Sequence, residues 1–356
     1  MILRKIAVTL TLTGLLVAPA LTAQAAPAWT VTPTKSQPSM LDDIDAKNGE
    51  IWAVGSDLVD SWSDLRPLAF RWNGTRWVET RQPMRTNSTL TSVAVAGAKN
   101  VWAVGEDRAV PEKTKPLAMR WNGTAWKVVP GPDVPAGSFS DVTIAPDGTP
   151  WVSGWADVGG REHAVVYRYV KGAWQQLTDG LENSVNGNTL AVFSATDAWL
   201  GLNAGMAHFD GKTWTLSDDV PADGSKIPTG LVATGPNDIW ASGVDHTTRE
   251  RPLVLHYDGK AWSQVRTPQN WSQLYDITLL NGRPIAVGEK FDESGNTITE
   301  HPLVLSLQNG AFVETAGPAA KIGTLTGVEA VGNRLWTVGM HREPVGDPVA
   351  LAAHLG

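Results

Sequence analysis

A motif that returns seven times, at intervals of roughly 47 residues, governs everything this chain can fold into. In its fullest form it runs Trp-Ala-Val-Gly, then a variable polar stretch, then a Pro-Leu apolar strand ending in Asn-Gly or Asp-Gly, and then a second Trp. The first aromatic position falls at Trp52, Trp102, Trp151, Trp199, Trp240 and Trp336, with Ile285 in the sixth copy. The second falls at Trp77, Trp126, Trp174, Trp214 and Trp262, with Phe312 in the sixth. A unit of this length carrying about four short strands is a propeller blade and not a helical repeat. The expected fold is therefore all-β: a seven-bladed β-propeller of four-stranded antiparallel blades.

The second unit gives the template. Leu90 to Ala96 reads as the innermost strand A, Val101 to Gly105 as strand B, Pro116 to Trp121 as strand C and Trp126 to Val129 as the outer strand D. Asn122-Gly123 reads as a two-residue hairpin turn that needs positive φ, and Pro130, Pro132 and Pro135 stop the sheet at its edge. The same turn recurs at Asn73-Gly74, Asp210-Gly211, Asp258-Gly259 and Asn309-Gly310. In the seventh unit the chain supplies strands A, B and C up to His354 and no strand D. Ala28-Trp29-Thr30-Val31-Thr32-Pro33 repeats Ala125-Trp126-Lys127-Val128-Val129-Pro130 in register. The last blade is thus expected to be closed by the N-terminal strand, which removes an exposed sheet edge.

Residues 1–25 have the form of a secretory signal peptide. Arg4 and Lys5 make a basic start, Ile6 to Val17 an apolar core, and Ala23-Gln24-Ala25 a small-x-small cleavage site. The apolar core is too short to cross ~30 Å of hydrocarbon, so no membrane span is expected. The expectation is a secreted, extracellular protein whose residues 26–356 form one propeller domain. Zero Cys excludes disulfides and thiolate chemistry. With the two leader cations removed, the formal charge of −7 becomes −9, and no basic cluster tracks phosphates, which argues against nucleic acid.

The Trp-Ala-Val-Gly and Trp-Asn-Gly-x-x-Trp units resemble the repeats of secreted bacterial β-propeller proteins grouped with the kelch and Asp-box propellers. The resemblance runs over residues 27–356 and implies the fold. It implies no activity, because propellers host lectins, hydrolases, lyases and scaffolds. The kelch Gly-Gly of strand B is missing, the only Gly-Gly being Gly159-Gly160 in a connection, and Asp210-Gly211-Lys212-Thr213-Trp214 is one residue short of an Asp box.

Function is expected on the face shared by the B–C and D–A connections, around the channel mouth. The B–C connections run long and polar, from Ser56 to Arg66, Glu106 to Lys115, Trp155 to His163, Val244 to Arg251, Glu289 to His301 and Met340 to Asp347. The fourth unit has only Asn203-Ala204-Gly205 there, which leaves a notch. Three Trp fall outside the repeat framework on this face, Trp62, Trp155 and Trp271, with Tyr275 and Phe291 as companions; a flat ring with a polar edge suits stacking on sugars. Asp43, Asp141 and Asp276 hold equivalent strand A positions near the channel mouth, and Glu106, Asp157, Asp245 and Glu289 begin four B–C connections. These acids could bond ligand hydroxyls or include an acid–base pair, and they could equally be repeated structural residues. His246 and His341 are the candidate bases. No nucleophile elbow, zinc-ligand spacing or cofactor fingerprint is present, so no metal and no cofactor is expected. The leading expectation is a monomeric module that binds an extracellular carbohydrate or partner protein. The alternative is a propeller enzyme acting on a glycan, or isomerising or cyclising a small metabolite without redox chemistry, through acid–base residues at the channel mouth.

Overall fold

In the computed structural model seven four-stranded antiparallel sheets form a seven-bladed propeller. The structure describes residues 28–35, 38–59, 64–83, 87–109, 113–221, 223–294, 297–344 and 346–356. The leader at 1–25 and Trp62 lie outside the described residues. No helix among the described residues is long and apolar enough to cross a membrane.

Blade 2 runs Ser88–Gly97, Asn100–Asp107, Lys115–Trp121 and Trp126–Val129 from channel to rim, with the two inner strands extended by one or two residues at each end beyond the sequence pattern. The ring closes as expected. Trp29–Val31 pairs with Val349–Leu355, placing Trp29 opposite Leu355 and Thr30 opposite His354 in the sheet of blade 7.

The repeat glycine has a specific cause. Every inner strand carries a β-bulge at one point, between Leu41 and Asp43, Leu90 and Ser92, Phe139 and Asp141, Gly187 and Thr189, Pro228 and Gly230, Leu274 and Asp276, and Leu325 and Gly327. The bulge presses the inner strand's backbone onto strand B. A Cβ at Gly105 would overlap the carbonyl oxygen of Thr89, and one at Gly339 that of Thr324, so these positions admit only glycine.

The Trp framework joins each blade to the next. The strand B Trp of one blade packs on the outer aromatics of its successor: Trp52 on Trp126, Trp102 on Trp174, Trp151 on Phe209, Trp199 on Trp262, Trp240 on Phe312, and Trp336 on Trp77, with ring centroids 5.3–6.2 Å apart. The outer indoles also donate backwards, Trp77 Nε1 to Thr32 Oγ1 at 2.9 Å, Trp126 to Thr80 Oγ1 at 2.9 Å, Trp174 to the Pro130 carbonyl at 2.8 Å and Trp214 to that of Leu177 at 2.8 Å. Trp29 does the same toward blade 6, donating to the Ala316 carbonyl at 2.6 Å. The N-terminal segment therefore performs every task of a strand D.

One turn expectation is corrected. At Asn73-Gly74 and Asn122-Gly123 only the glycine has positive φ, at 98° and 101°. Trp72 pairs with Trp77 and Trp121 with Trp126, so four residues intervene, and the Asn side chain accepts the amides of the two residues before the second Trp. Asn309-Gly310 and Lys171-Gly172 are the true two-residue turns, with both φ angles positive.

Candidate interaction site at the channel and its rim

The inner strands enclose a channel of about 590 Å³. Asp43, Asp141 and Asp276 each follow a bulge and reach sideways to the next blade. Asp43 Oδ2 accepts the Val93 amide at 2.8 Å and the Ser92 hydroxyl at 2.9 Å. Asp141 accepts the same hydroxyl at 2.9 Å and the Leu190 amide at 2.7 Å, and Asp276 accepts the Val328 amide at 2.8 Å. Where Asp43 and Asp276 stand, the preceding blade carries Gly327 and Gly230, whose added Cβ would crowd the Asp backbone. The three Asp are brackets between blades, sharing the channel wall with Asp42, Asp45 and Glu329.

Six carboxyl groups and one ammonium, Lys47, line this wall. Burial pushes Asp42 and Asp276 up to about 7 and Glu329 to about 9, with repulsion from Asp45, Asp276 and Asp43 adding to the effect on Glu329. Asp43, Asp45 and Asp141 rise for the same first reason, against the hydrogen bonds that favour their anions.

The rim is uneven, though built differently from the expectation. In blade 3 strands Pro150–Val158 and Arg161–Val170 continue to a two-residue turn at Gly159-Gly160, so the stretch expected as a polar loop is a tall hairpin. In blade 6 the hairpin is taller still, with Arg283–Ser294 paired to Thr297–Gln308. Blade 4 turns back at once, Leu202 pairing with Gly205 around Asn203-Ala204. The expected notch is present.

The other candidates separate on this rim. Trp155 is a strand residue, opposite Ser138 and Ala164, at the repeat position that Glu289 fills in blade 6; it belongs to the repeat after all. His341 is likewise in a strand, paired with Gly323 and Val349, and not in a loop. Trp271 and His246 do come together, through Glu250. Trp271 Nε1 donates to Glu250 Oε2 at 3.0 Å, and His246 Nδ1 lies 3.8 Å from Glu250 Oε1. The Arg249 guanidinium sits 3.4 Å from the Trp271 ring centre and Phe291 packs on it at 4.7 Å, so this Trp pins the blade 5 connection to the blade 6 hairpin.

Two networks escaped the residue-by-residue reading. Glu289 is 6% exposed and accepts from Gln273 Nε2 at 2.6 Å, Tyr275 Oη at 2.7 Å and the Thr324 hydroxyl of blade 7. Burial, and then the Glu289 charge, drive the Tyr275 phenol far above its ordinary range. At the floor of the notch an amide chain leads outward from the channel: Ser140 Oγ to Asn186 Oδ1 at 3.2 Å, Asn186 Nδ2 to Asn188 Oδ1 at 3.0 Å, and Asn188 Nδ2 to Asn203 Oδ1 at 2.9 Å. The signal for both lay in aligning the repeats, which puts Asn188 and Tyr275 at the bulge itself.

The sequence matches no protein-family model and no curated protein. Among solved structures the chain is similar to YCF48 bound to D1 peptide, with TM-score 0.59 and 14% identity over 95% of this chain and 97% of that one. It is also similar to U3-55K, with TM-score 0.59 and 9% identity over 93% and 99% of the two chains. At such identities the likeness is one of fold.

Proposed function

We propose that this chain is a secreted, monomeric binding module that holds a partner protein on the face formed by its B–C and D–A connections. One observation carries the reading. Of the seven exposed large aliphatic side chains among the described residues, Val59, Val158, Val185 and Ile298 stand on this face, in the connections of blades 1, 3, 3-to-4 and 6, with Val158 52% exposed. Single exposed aliphatics are ordinary, but four on one uneven rim form the apolar contact points of a docking surface. The YCF48 structure supports the analogy, since a propeller of this layout there carries a peptide. Glycan stacking on Trp271 has less support, because Arg249 and Phe291 already lie against that ring. Acid–base catalysis through Asp43, Asp141 or Asp276 would have to use carboxyls already engaged in bracing the blades.

The test is chemical crosslinking in the medium of the producing cells, comparing the wild type with a Val59→Asp, Val158→Asp, Val185→Asp, Ile298→Asp variant of equal melting temperature. Crosslinked species lost from the variant support the rim, and an unchanged set refutes it. Terminal sequencing of the exported protein should give a start at Ala26, and light scattering a single chain.

A further inference from the structure

At the notch of blade 4, rim, polar floor and channel meet. Its floor is the Asn186–Asn188–Asn203 chain, in which Asn203 Oδ1 accepts from Asn188 and the Asn203 backbone amide donates to the Asn186 carbonyl, while the Asn203 side-chain Nδ2 makes no hydrogen bond among the described residues. Val185, just before the inner strand Gly187–Ser194, adjoins Asn186 of this floor with aliphatic surface 45% exposed, and Val158 stands 52% exposed at the end of the hairpin of the preceding blade. The inner end opens at Asn188 onto the channel wall.

Charge decides what such a groove would take. The wall presents Asp42, Asp43, Asp45, Asp141, Asp276 and Glu329 against Lys47 alone, and the chain's formal charge is −7. Cations on the rim of the flanking blades are themselves in acidic company, Arg161 beside Glu162 in the blade 3 hairpin and Lys226 acting on Asp223 and Asp245 in blade 5. Side-chain amides match the alternating donors and acceptors of an extended backbone, flanking aliphatics receive its apolar side chains, and an acidic well receives a cation. Crowding among the carboxyls favours protons on them; an ammonium or guanidinium relieves the same repulsion.

We infer that the notch holds an extended segment of the partner protein, its backbone on the asparagine floor and one lysine or arginine side chain directed into the channel. This rests on the rim reading above and gives that partner its chemistry.

The test uses displayed random nonapeptides whose central residue is fixed as Arg or Lys, as Leu, or as Glu, followed by anisotropy titration of the enriched peptides. The cationic libraries should enrich about tenfold over the acidic one, with affinity falling as salt is added. An Asn203→Ala, Val185→Ser variant should weaken binding about tenfold, whereas Val59→Ser, Ile298→Ser should not. Equal enrichment of the three libraries, no enrichment at all, or displacement by neutral dextran oligomers would overturn the inference. Peptides that lose binding only in the Val59, Ile298 variant would overturn the notch and leave the rim reading standing. Peptides indifferent to every rim substitution would sink both.

Discussion

Asp42 stands where other blades place a donor. At the same bulge position Thr91 donates to the Phe139 carbonyl at 3.0 Å, Thr229 to that of Leu274 at 2.9 Å and Thr326 to that of Leu41 at 2.7 Å, each on the following blade. Asp42 makes no such bond among the described residues, and its acceptor by repeat would be the Leu90 carbonyl. Only a protonated carboxyl could donate there. Burial raises Asp42 and Asp276 to about 7 and Glu329 to about 9, so the folded chain keeps protons that the unfolded chain releases near its ordinary carboxyl values. Their stabilising contribution is complete in acid below that range and is lost as pH rises, through about 7 for the two Asp and about 9 for Glu329. The carboxyls lowered by hydrogen bonds, such as Asp210 and Asp258, titrate below this window and leave it unchanged. Melting temperature should therefore be higher at pH 5 than at pH 9, and Asp42→Thr should both raise it and reduce the difference. The new bond is worth about 1 kcal/mol. A profile that rises toward pH 9 would show that the channel carboxyls are not the ones governing it.

At the scale of the strand, the Trp-Ala-Val-Gly unit is legible because each of its letters answers to one neighbour. Trp faces the next blade, and Gly faces the bulge of its own inner strand. The bulge itself was not legible, since Asp, Ser, Thr and Gly all occupy the residue after it and no residue type marks it. Missing it left Asp43, Asp141 and Asp276 readable either as ligand groups or as repeated structural residues, because their hydrogen-bond partners sit about fifty positions away. The tall hairpins of blades 3 and 6 were read as loops for a related reason. Exposed residues follow one another along Asp292, Glu293 and Ser294 of the blade 6 ribbon, so alternation fails as a strand signal there. Gly105→Ala tests the glycine argument. Its Cβ meets backbone, which cannot swing aside, and the loss should reach the upper part of ~1–3 kcal/mol in urea unfolding. Gly97→Ala, with open space around its Cβ, should cost far less.

Across the whole molecule, stability depends on a ring without gaps. Deleting residues 28–35 removes the outer strand of blade 7, the Trp29 indole bond to Ala316 and the Thr32 bonds that link Trp77 to the Ala352 carbonyl. Trp29 is only half-buried, so the loss from its packing falls below the ~3–5 kcal/mol of a fully buried Trp, and the exposed edge adds aggregation. Calorimetry should show a lower and concentration-dependent transition; an unchanged one would mean that the ring holds without its closing strand. Closure was readable from one in-register repeat of six residues. The asparagine floor was not, because Asn186, Asn188 and Asn203 meet only across the folded blade 4 hairpin, where Ser140 joins them from blade 3.

The pairing of Trp29 with Leu355 has a consequence for chain connectivity. In blade 2 four residues separate the paired Trp121 and Trp126. Gly356 follows Leu355 and Ala28 precedes Trp29, so a fusion of residue 356 to residue 28 would itself supply two residues of such a turn. Two inserted residues, Gly-Thr for instance, would fuse head to tail and make the seventh blade an ordinary hairpin. A permuted polypeptide fused there and reopened at Asp258-Gly259 should refold to the same circular dichroism spectrum, with its strand order starting in a different blade. Where translation begins would then be an accident of the gene, and the ring would have no intrinsic first blade.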